Sequence, residues 1–345
     1  MQYSEPVDIV YLWVNGRDPV WRSKRAQARQ ALSAAQRQDI ALYGDVEGRF
    51  RDNEELRYSL RALERFFPQH GHIYIVTDGQ TPAWLRPHAT LRIVDHRDLI
   101  PAHALPTFDS CHIESYIHRI PGLSERFFYF NDDVFFGAPV DLADWFWEGG
   151  IYTGWSDEPP VRPGPPSSDA LALENACRAS MAWLDAQPDA ISDPQYRHTL
   201  RTFAHAPRAL LRSVLFALEQ RAPELFARVR STVFRNWDKP TLVSDFVMRW
   251  SLANGRARSR SYSCAYVSTG DSGPASGMQR VIWALGALHF FCINDTLDDA
   301  PDDDPRLLQA QAALQGLFGS PSRHERAAAA PGSGAAQDAL AQAAA

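Results

Sequence analysis

Four short apolar runs, each stopping at a polar cluster, constrain the fold of this chain more than any other feature. They are DIVYLWVNG (8–16), HIYIVTDG (72–79), LRIVDH (91–96) and RFFYFNDD (126–133), and helical patterns separate them. Their Val, Ile, Tyr and Phe content suits strands, and the runs are near-continuous in apolar character rather than alternating. Strands of that kind need cover on both faces. The expected class is therefore α/β, a mostly parallel sheet with helices on both faces and an inserted helical region. In such sheets ligands bind beyond the carboxyl ends of the strands, where Asn15, Asp18, Asp78, Gln80, Asp132 and Asp133 fall.

The plainest helix runs from about Glu54 to Phe67, with Leu56, Leu60, Leu63 and Phe67 on one stripe and Arg57, Arg61, Glu64 and Arg65 largely off it. Asp52, three residues before Glu55, fits a capping box worth ~1 kcal/mol and equally fits a functional carboxylate. Arg51, in GRFRDNEE, precedes the helix start, where a guanidinium can help hold an anion. These elements belong to an α/β core over 1–155. The Pro, Gly and Ser-rich SDEPPVRPGPPSSD then opens a loop or flap over 156–197, with a short helix around Leu171 to Leu184.

Residues 198–257 read as helical. PRALLRSVLFALEQRAP puts Pro207 at a first-turn position, and a helix near Leu242 to Asn254 ends at Gly255. SRSYSCAYVS and GALHFFCIND, within 258–300, read as strands returning to the core. Over 301–345 a short helix precedes an Ala-rich tail, expected to be disordered from about Gly319.

A chain of 345 residues with 45% hydrophobic content, ten Trp and eighteen Phe can bury a large core. Its net charge of -6 comes from 35 basic and 41 acidic residues without a long block of either sign, so no nucleic-acid or anionic-membrane partner is indicated. Any phosphate contact must be local. Cys111, Cys177, Cys264 and Cys292 form no CxxC pair and suit a reducing compartment as small buried residues. MQYSEPVDIV lacks a signal-like pattern, and no window approaches the ~20 apolar residues that cross a bilayer. A cytoplasmic location is expected.

Several local strings lead nowhere. GDSGPASG (270–277) contains a protease-like GDSG without a matching His segment, and reads as a Gly-rich turn. His112, Glu114 and His118 crowd one segment without H-E-x-x-H spacing, which argues against zinc. His118 and the adjacent Arg119 stay in view as substrate contacts. Neither GxxxxGK[ST] nor GxGxxG is present.

FFYFNDDVFFG (127–137) survives this filter. Four aromatic residues lead a buried strand into Asn131, Asp132 and Asp133. Two carboxylates about 4 Å apart repel by roughly 4 kcal/mol at an effective dielectric near 20, so both stay ionised only beside a cation or an Arg. A divalent ion, Mg²⁺ or Mn²⁺, is the economical answer, completed by water and substrate phosphate oxygens. Asn294 and Asp295 end the last strand-like run; they either join a metal or phosphate shell or simply terminate the strand.

Taken together, VDIVYLWVNGRDPVW (7–21), RFRDNEELRYSLRALERFFPQHGHIYIVTDGQTPAWL (49–85) with LPTFDSCHIESYIHRIPGLSERFFYFNDDVFFG (105–137), FAHAPRALLRSVLFALEQRAPELFARVRSTVFR (203–235) and FFCINDT (290–296) resemble the four regions of the Stealth family. That family includes bacterial capsular and exopolysaccharide phosphotransferases and the catalytic subunit of N-acetylglucosamine-1-phosphotransferase. The resemblance spans roughly 7–297 and is loosest in FRNWDKPTLVSDF, which only approximates the third region's pattern.

The resemblance implies a nucleotide-sugar-transferase-like fold and transfer of a sugar 1-phosphate from a nucleotide sugar to a glycan hydroxyl, leaving a nucleoside monophosphate. It implies that Asp132 and Asp133 serve the metal and that His205 and Arg235 serve the transferred phosphoryl group; Asp295 is a further metal candidate from its place at a strand end, and Asp52 a further catalytic candidate. Without it, His205 would read as a structural histidine. Asn15, Asp18, Arg51, Glu54, Arg57, His118, Arg119 and Asn294 are the expected substrate-binding residues. The implied partners are a nucleotide-sugar donor and a glycan acceptor, with peripheral docking to a polysaccharide-export complex at the inner membrane face. A metal-dependent glycosyltransferase releasing a nucleoside diphosphate and a noncatalytic glycan-binding protein are the alternatives.

Overall fold

The computed structural model describes residues 5–327, except 272–273 and the side chains of 274–276. Part of GDSGPASG and the Ala-rich tail beyond 327 therefore lie outside the described residues. The four apolar runs form Asp8–Leu12 (β1), Ile73–Thr77 (β2), Leu91–Asp95 (β3) and Arg126–Asn131 (β4). They pair in parallel in the order β3-β2-β1-β4, with Ile9 opposite both Ile73 and Phe128. Alternate residues face opposite layers, as the two-residue period of a strand dictates. Ile9, Tyr11, Phe128 and Phe130 enter one hydrophobic core, while Val10, Tyr74, Phe127 and Tyr129 enter the other. Each fully buried aromatic ring contributes roughly 1.5–3 kcal/mol, which is why four in succession fix the register of β4.

The helix Glu55–Phe66 covers the first face with Leu56, Leu60 and Leu63. The second is covered by helices that include Arg212–Arg221 and Pro223–Val229, through Leu215, Leu218, Leu225 and Phe226. Among the described residues no helix is long and apolar enough to cross a membrane.

The remaining strands are Val134–Phe136 (β5), Phe146–Trp147 (β6), Gly150–Thr153 (β7), Arg208–Leu211 (β8), Ala257–Ser259 (β9), Cys264–Ser268 (β10) and Phe290–Asn294 (β11). Here three sequence expectations change. The segment after Pro207 begins as a strand, β8, antiparallel to β4, and becomes helical only at Arg212. The open edge of β4 offers ladder hydrogen bonds that outweigh the helical spacing of RALL. The strands β10 and β11 do not rejoin the main sheet; they form a second sheet with β5, in the order β10-β11-β5. The segment from Gly319 to 327 is packed rather than loose, for Ser322, His324 and Glu325 are buried. The expected helix near Leu242 is present as a π-helical turn, Leu242–Phe246, running into Val247–Ala253, and Gly255 follows with a φ of 61°.

Candidate active site

The strand order reverses direction between β1 and β4, and the carboxyl ends of those two strands open into a cleft of ≈ 1600 Å³. Trp13 and Val14 follow β1 along its floor, Asn131 ends β4, and Asp132 and Asp133 follow it. The flap contributes Ser156 to Pro165, as well as Leu171 and Arg178, so the Pro-rich insertion forms one wall.

His205 reaches this cleft because β8 runs antiparallel to its neighbours. Arg208 pairs with Tyr129 near the carboxyl end of β4, so the residues just before β8 stand at the edge where the parallel strands finish. His205 is half-buried there, with its ring 5.8 Å from that of Tyr266. Its pKa falls to about 4, from burial first and then from Arg208, Arg235 and Arg49. The imidazole is therefore neutral at physiological pH and free to accept a proton.

Arg235 enters from the loop after the helix Pro223–Val229. That loop is held by Phe108 N–H donating to Val233 O at 2.7 Å and by Phe234 stacking on Phe108. Arg235 Nη2 donates to Ser110 Oγ at 2.8 Å, and Arg49 Nη2 donates to the same oxygen at 3.0 Å. The Nε atoms of both arginines are buried without a partner. Arg49 is pulled down to about 10 by burial and by repulsion from Arg235. Two guanidiniums with spare donors in one pocket make a site for an anion with several oxygens.

The acid group lies on the same floor. Asp132 is held far above the ordinary carboxylate range by burial and then by Glu55, Asp133 and Asp52, while burial pushes Asp133 up to about 6. Asp133 Oδ2 accepts from the Cys292 thiol at 3.4 Å, and its Oδ1 is buried without a partner. Glu55 accepts from Asn53 N–H at 2.6 Å and rises to about 8 through burial and Asp52. Crowded carboxylates with an orphaned oxygen suit a hard divalent cation, whose ligands are oxygens. Among the described residues, no preformed group of three ligands is present.

Sequence reasoning missed Arg49, Ser110 and Glu55. GRFRDNEE contains two arginines flanking Phe50, and the short turn Glu47–Arg49 carries the first of them, which lines the cleft and meets Ser110. The second, Arg51, meets Asp295 and Asp302 and donates to the carbonyls of Leu297 and Ala300. Asp295 also accepts from Leu297 N–H, so although both residues reach the cleft wall they saturate each other. Asn294 lines the cleft and donates to Tyr266 Oη at 2.6 Å.

Other expected residues are occupied elsewhere. Asp18 caps the helix Pro19–Ala31 through Val20 and Trp21 N–H, and Gln80 ties it to Asn15. Asp52 accepts from Glu54 N–H, not from the helix itself, which begins at Glu55 after a left-handed Glu54. Glu54 pairs with Arg57, and Arg57 also grips Glu325. His118 and Arg119 do not reach the cleft, for both bond Glu219 at 2.8 Å in a cluster completed by Arg230.

Residues 5–33 match Stealth protein CR1, conserved region 1, and residues 49–153 match Stealth protein CR2, conserved region 2. An exopolysaccharide phosphotransferase of Streptomyces coelicolor, SCO2592, is 35% identical over 324 residues, 93% of this chain and 33% of that protein. The exopolysaccharide phosphotransferase CpsY of Mycobacterium tuberculosis is 32% identical over 326 residues, 94% of this chain and 58% of that protein. The chain thus spans about a third to three-fifths of these relatives. The crystal structure of the galactosyltransferase LgtC with donor and acceptor sugar analogs aligns with 92% of this chain and 98% of its own, at 10% identity and a TM-score of 0.41. The chain thus carries matches to two Stealth conserved regions, CR1 and then CR2, and aligns with these relatives along most of its own length.

Proposed function

We propose that this chain transfers a sugar 1-phosphate from a nucleotide sugar to a hydroxyl of an acceptor glycan, in exopolysaccharide or capsular synthesis. The observation that carries this reading is the pairing of Arg49 and Arg235 on Ser110, with unsatisfied Nε atoms, in the cleft that the neutral His205, Asp132 and Asp133 also line. The names of the relatives, exopolysaccharide phosphotransferases, support the same class.

In this reading the acceptor oxygen bonds to the phosphorus that carries the sugar. The bond between that phosphorus and the bridging oxygen of the pyrophosphate breaks, and a nucleoside monophosphate leaves. His205 takes the hydroxyl proton, a role typically worth roughly 10²–10⁴-fold. Arg49 and Arg235 bind the equatorial oxygens, where charge is spread in phosphoryl transfer. Asp132 and Asp133 would hold Mg²⁺ or Mn²⁺, which when bound neutralises pyrophosphate charge.

Incubating the protein with Mg²⁺, candidate nucleotide sugars and short glycans, then identifying the released nucleotide, tests the proposal. A monophosphate is expected. A diphosphate would make the protein a glycosyltransferase, and glycan binding with no turnover would make it a binding protein.

A further inference from the structure

We infer that Tyr43 is a stacking platform for a pyranose ring of the acceptor glycan, an assignment that rests on the transferase reading above. Tyr43 is 53% exposed and Leu42 40% exposed, yet both line the cleft. A large aromatic ring left open to solvent at the mouth of a cleft is a ready partner for a ring with an apolar face. The flap adds Leu171, 52% exposed, to the lining of the same cleft.

The ring is presented by a rigid support. Tyr43 has a left-handed backbone with a φ of 59°, rare for a bulky residue and costing ~1–3 kcal/mol. Such a conformation persists only where its surroundings fix it. Here Ala41 N–H donates to Arg235 O at 2.8 Å, Gly44 N–H to Ala41 O at 2.7 Å and Trp237 N–H to Asp39 O at 3.1 Å, while Ile40 bridges Asn236. Gly44 packs so closely that a Cβ there would lie 2.9 Å from Arg235 O. The loop carrying Tyr43 is thus fastened to the backbone of Arg235.

Position selects the acceptor over the donor. The donor's nucleotide belongs at the strand ends, where the buried Trp13, Trp21, Phe50 and Phe108 line the interior of the cleft. A glycan chain must instead run from the reacting hydroxyl out to solvent, which only rim residues can follow. The flat ring of Tyr43 meets the C–H face of a sugar, and its hydroxyl stays available for hydrogen bonding.

The test compares the wild type with Tyr43→Ala, Tyr43→Phe and Tyr43→Trp. Glycan contact is read by saturation-transfer NMR with cellotetraose, maltotetraose and chitotetraose in the absence of donor, and initial rates are read against both substrates. Tyr43→Ala is expected to raise the acceptor KM ~10-fold and to remove the NMR signal, while the donor KM and kcat change far less. Phe and Trp are expected to restore both readouts. Its melting temperature should not fall, since Tyr43 contributes strain rather than packing. An unchanged acceptor KM, an effect confined to the donor KM, or no signal from any tetrasaccharide with the wild type would overturn the assignment. The NMR arm is independent of turnover, so failure of the transferase reading is distinguishable from failure of the subsite.

Discussion

Arg49 and Arg235 donate to one neutral oxygen, Ser110 Oγ, from 3.0 and 2.8 Å, and neither Nε has a partner. Arg235 repels the Arg49 charge, Asp109 and Glu114 offset part of that repulsion, and an added anion would offset more of it. Arg49→Ala should therefore leave the melting temperature unchanged or higher while weakening donor binding by at least ~30-fold, the low end of what truncating a buried charged contact costs. Calorimetric titration with a nucleotide sugar, beside a thermal scan, checks both halves. Loss of stability with intact binding would make Arg49 a structural residue.

The acid floor makes the opposite prediction about cations. Asp132→Asn removes one of several crowded carboxylates, so it should raise thermal stability in EDTA and abolish turnover. Mg²⁺ at about 100 times its dissociation constant should stabilise the wild type by about 2.7 kcal/mol and leave the Asp132→Asn variant unaffected. Equal Mg²⁺ shifts in both proteins would remove Asp132 from the metal site.

The pH dependence follows from His205. Its pKa of about 4 lies below the ordinary 6.5, so the unfolded chain binds the proton more readily. The corresponding stability is complete above about 6.5 and is lost as pH falls from there through about 4. His205→Gln should flatten that part of the stability profile. In catalysis, bound phosphate offsets Arg49 and Arg235 and lets the pKa rise. The acid limb of kcat should then lie at higher pH than that of kcat/KM, measured at saturating Mg²⁺. Coincident limbs would argue against His205 as the base.

Glu325 anchors the segment that follows the helix Pro305–Leu317. Its carboxylate is 1% exposed and bonds Arg61, itself 4% exposed, as well as Arg57. Glu325→Gln strands the Arg61 charge and should cost about 3–5 kcal/mol in urea unfolding. Truncation after residue 318 should cost at least as much. A neutral truncation would restore the sequence-based expectation of a dispensable tail.

The difference between these residues and the strands shows what a sequence exposes. The runs ending at Asn15, Asp78 and Asp133 were legible because burial on both faces leaves a local apolar signature. The helix stripe at Leu56, Leu60 and Leu63 was legible for the same reason. Arg61 read as solvent-facing, since the carboxylate that buries it comes from a residue 264 positions away. The strand β8 was hidden because four residues carry no period that separates strand from helix, and only the free edge of β4 decides between them. In GRFRDNEE the position before the helix points to Arg51 as the anion ligand and passes over Arg49; the turn Glu47–Arg49 gives the cleft to Arg49, and the Asp295 loop takes Arg51. Convergence of Ser110 with Arg235 crosses 125 positions and leaves no local trace.

The fate of the phosphorus next to the donor sugar tests the account most directly. With a nucleotide sugar radiolabelled on that phosphate, Mg²⁺ and an acceptor glycan, the label should move into the glycan and the unlabelled nucleotide should leave as a monophosphate. His205→Ala should slow that transfer by roughly 10²–10⁴-fold without loss of donor binding. Label retained on a released nucleoside diphosphate would contradict the assignment of Arg49, Arg235 and His205 to phosphoryl transfer.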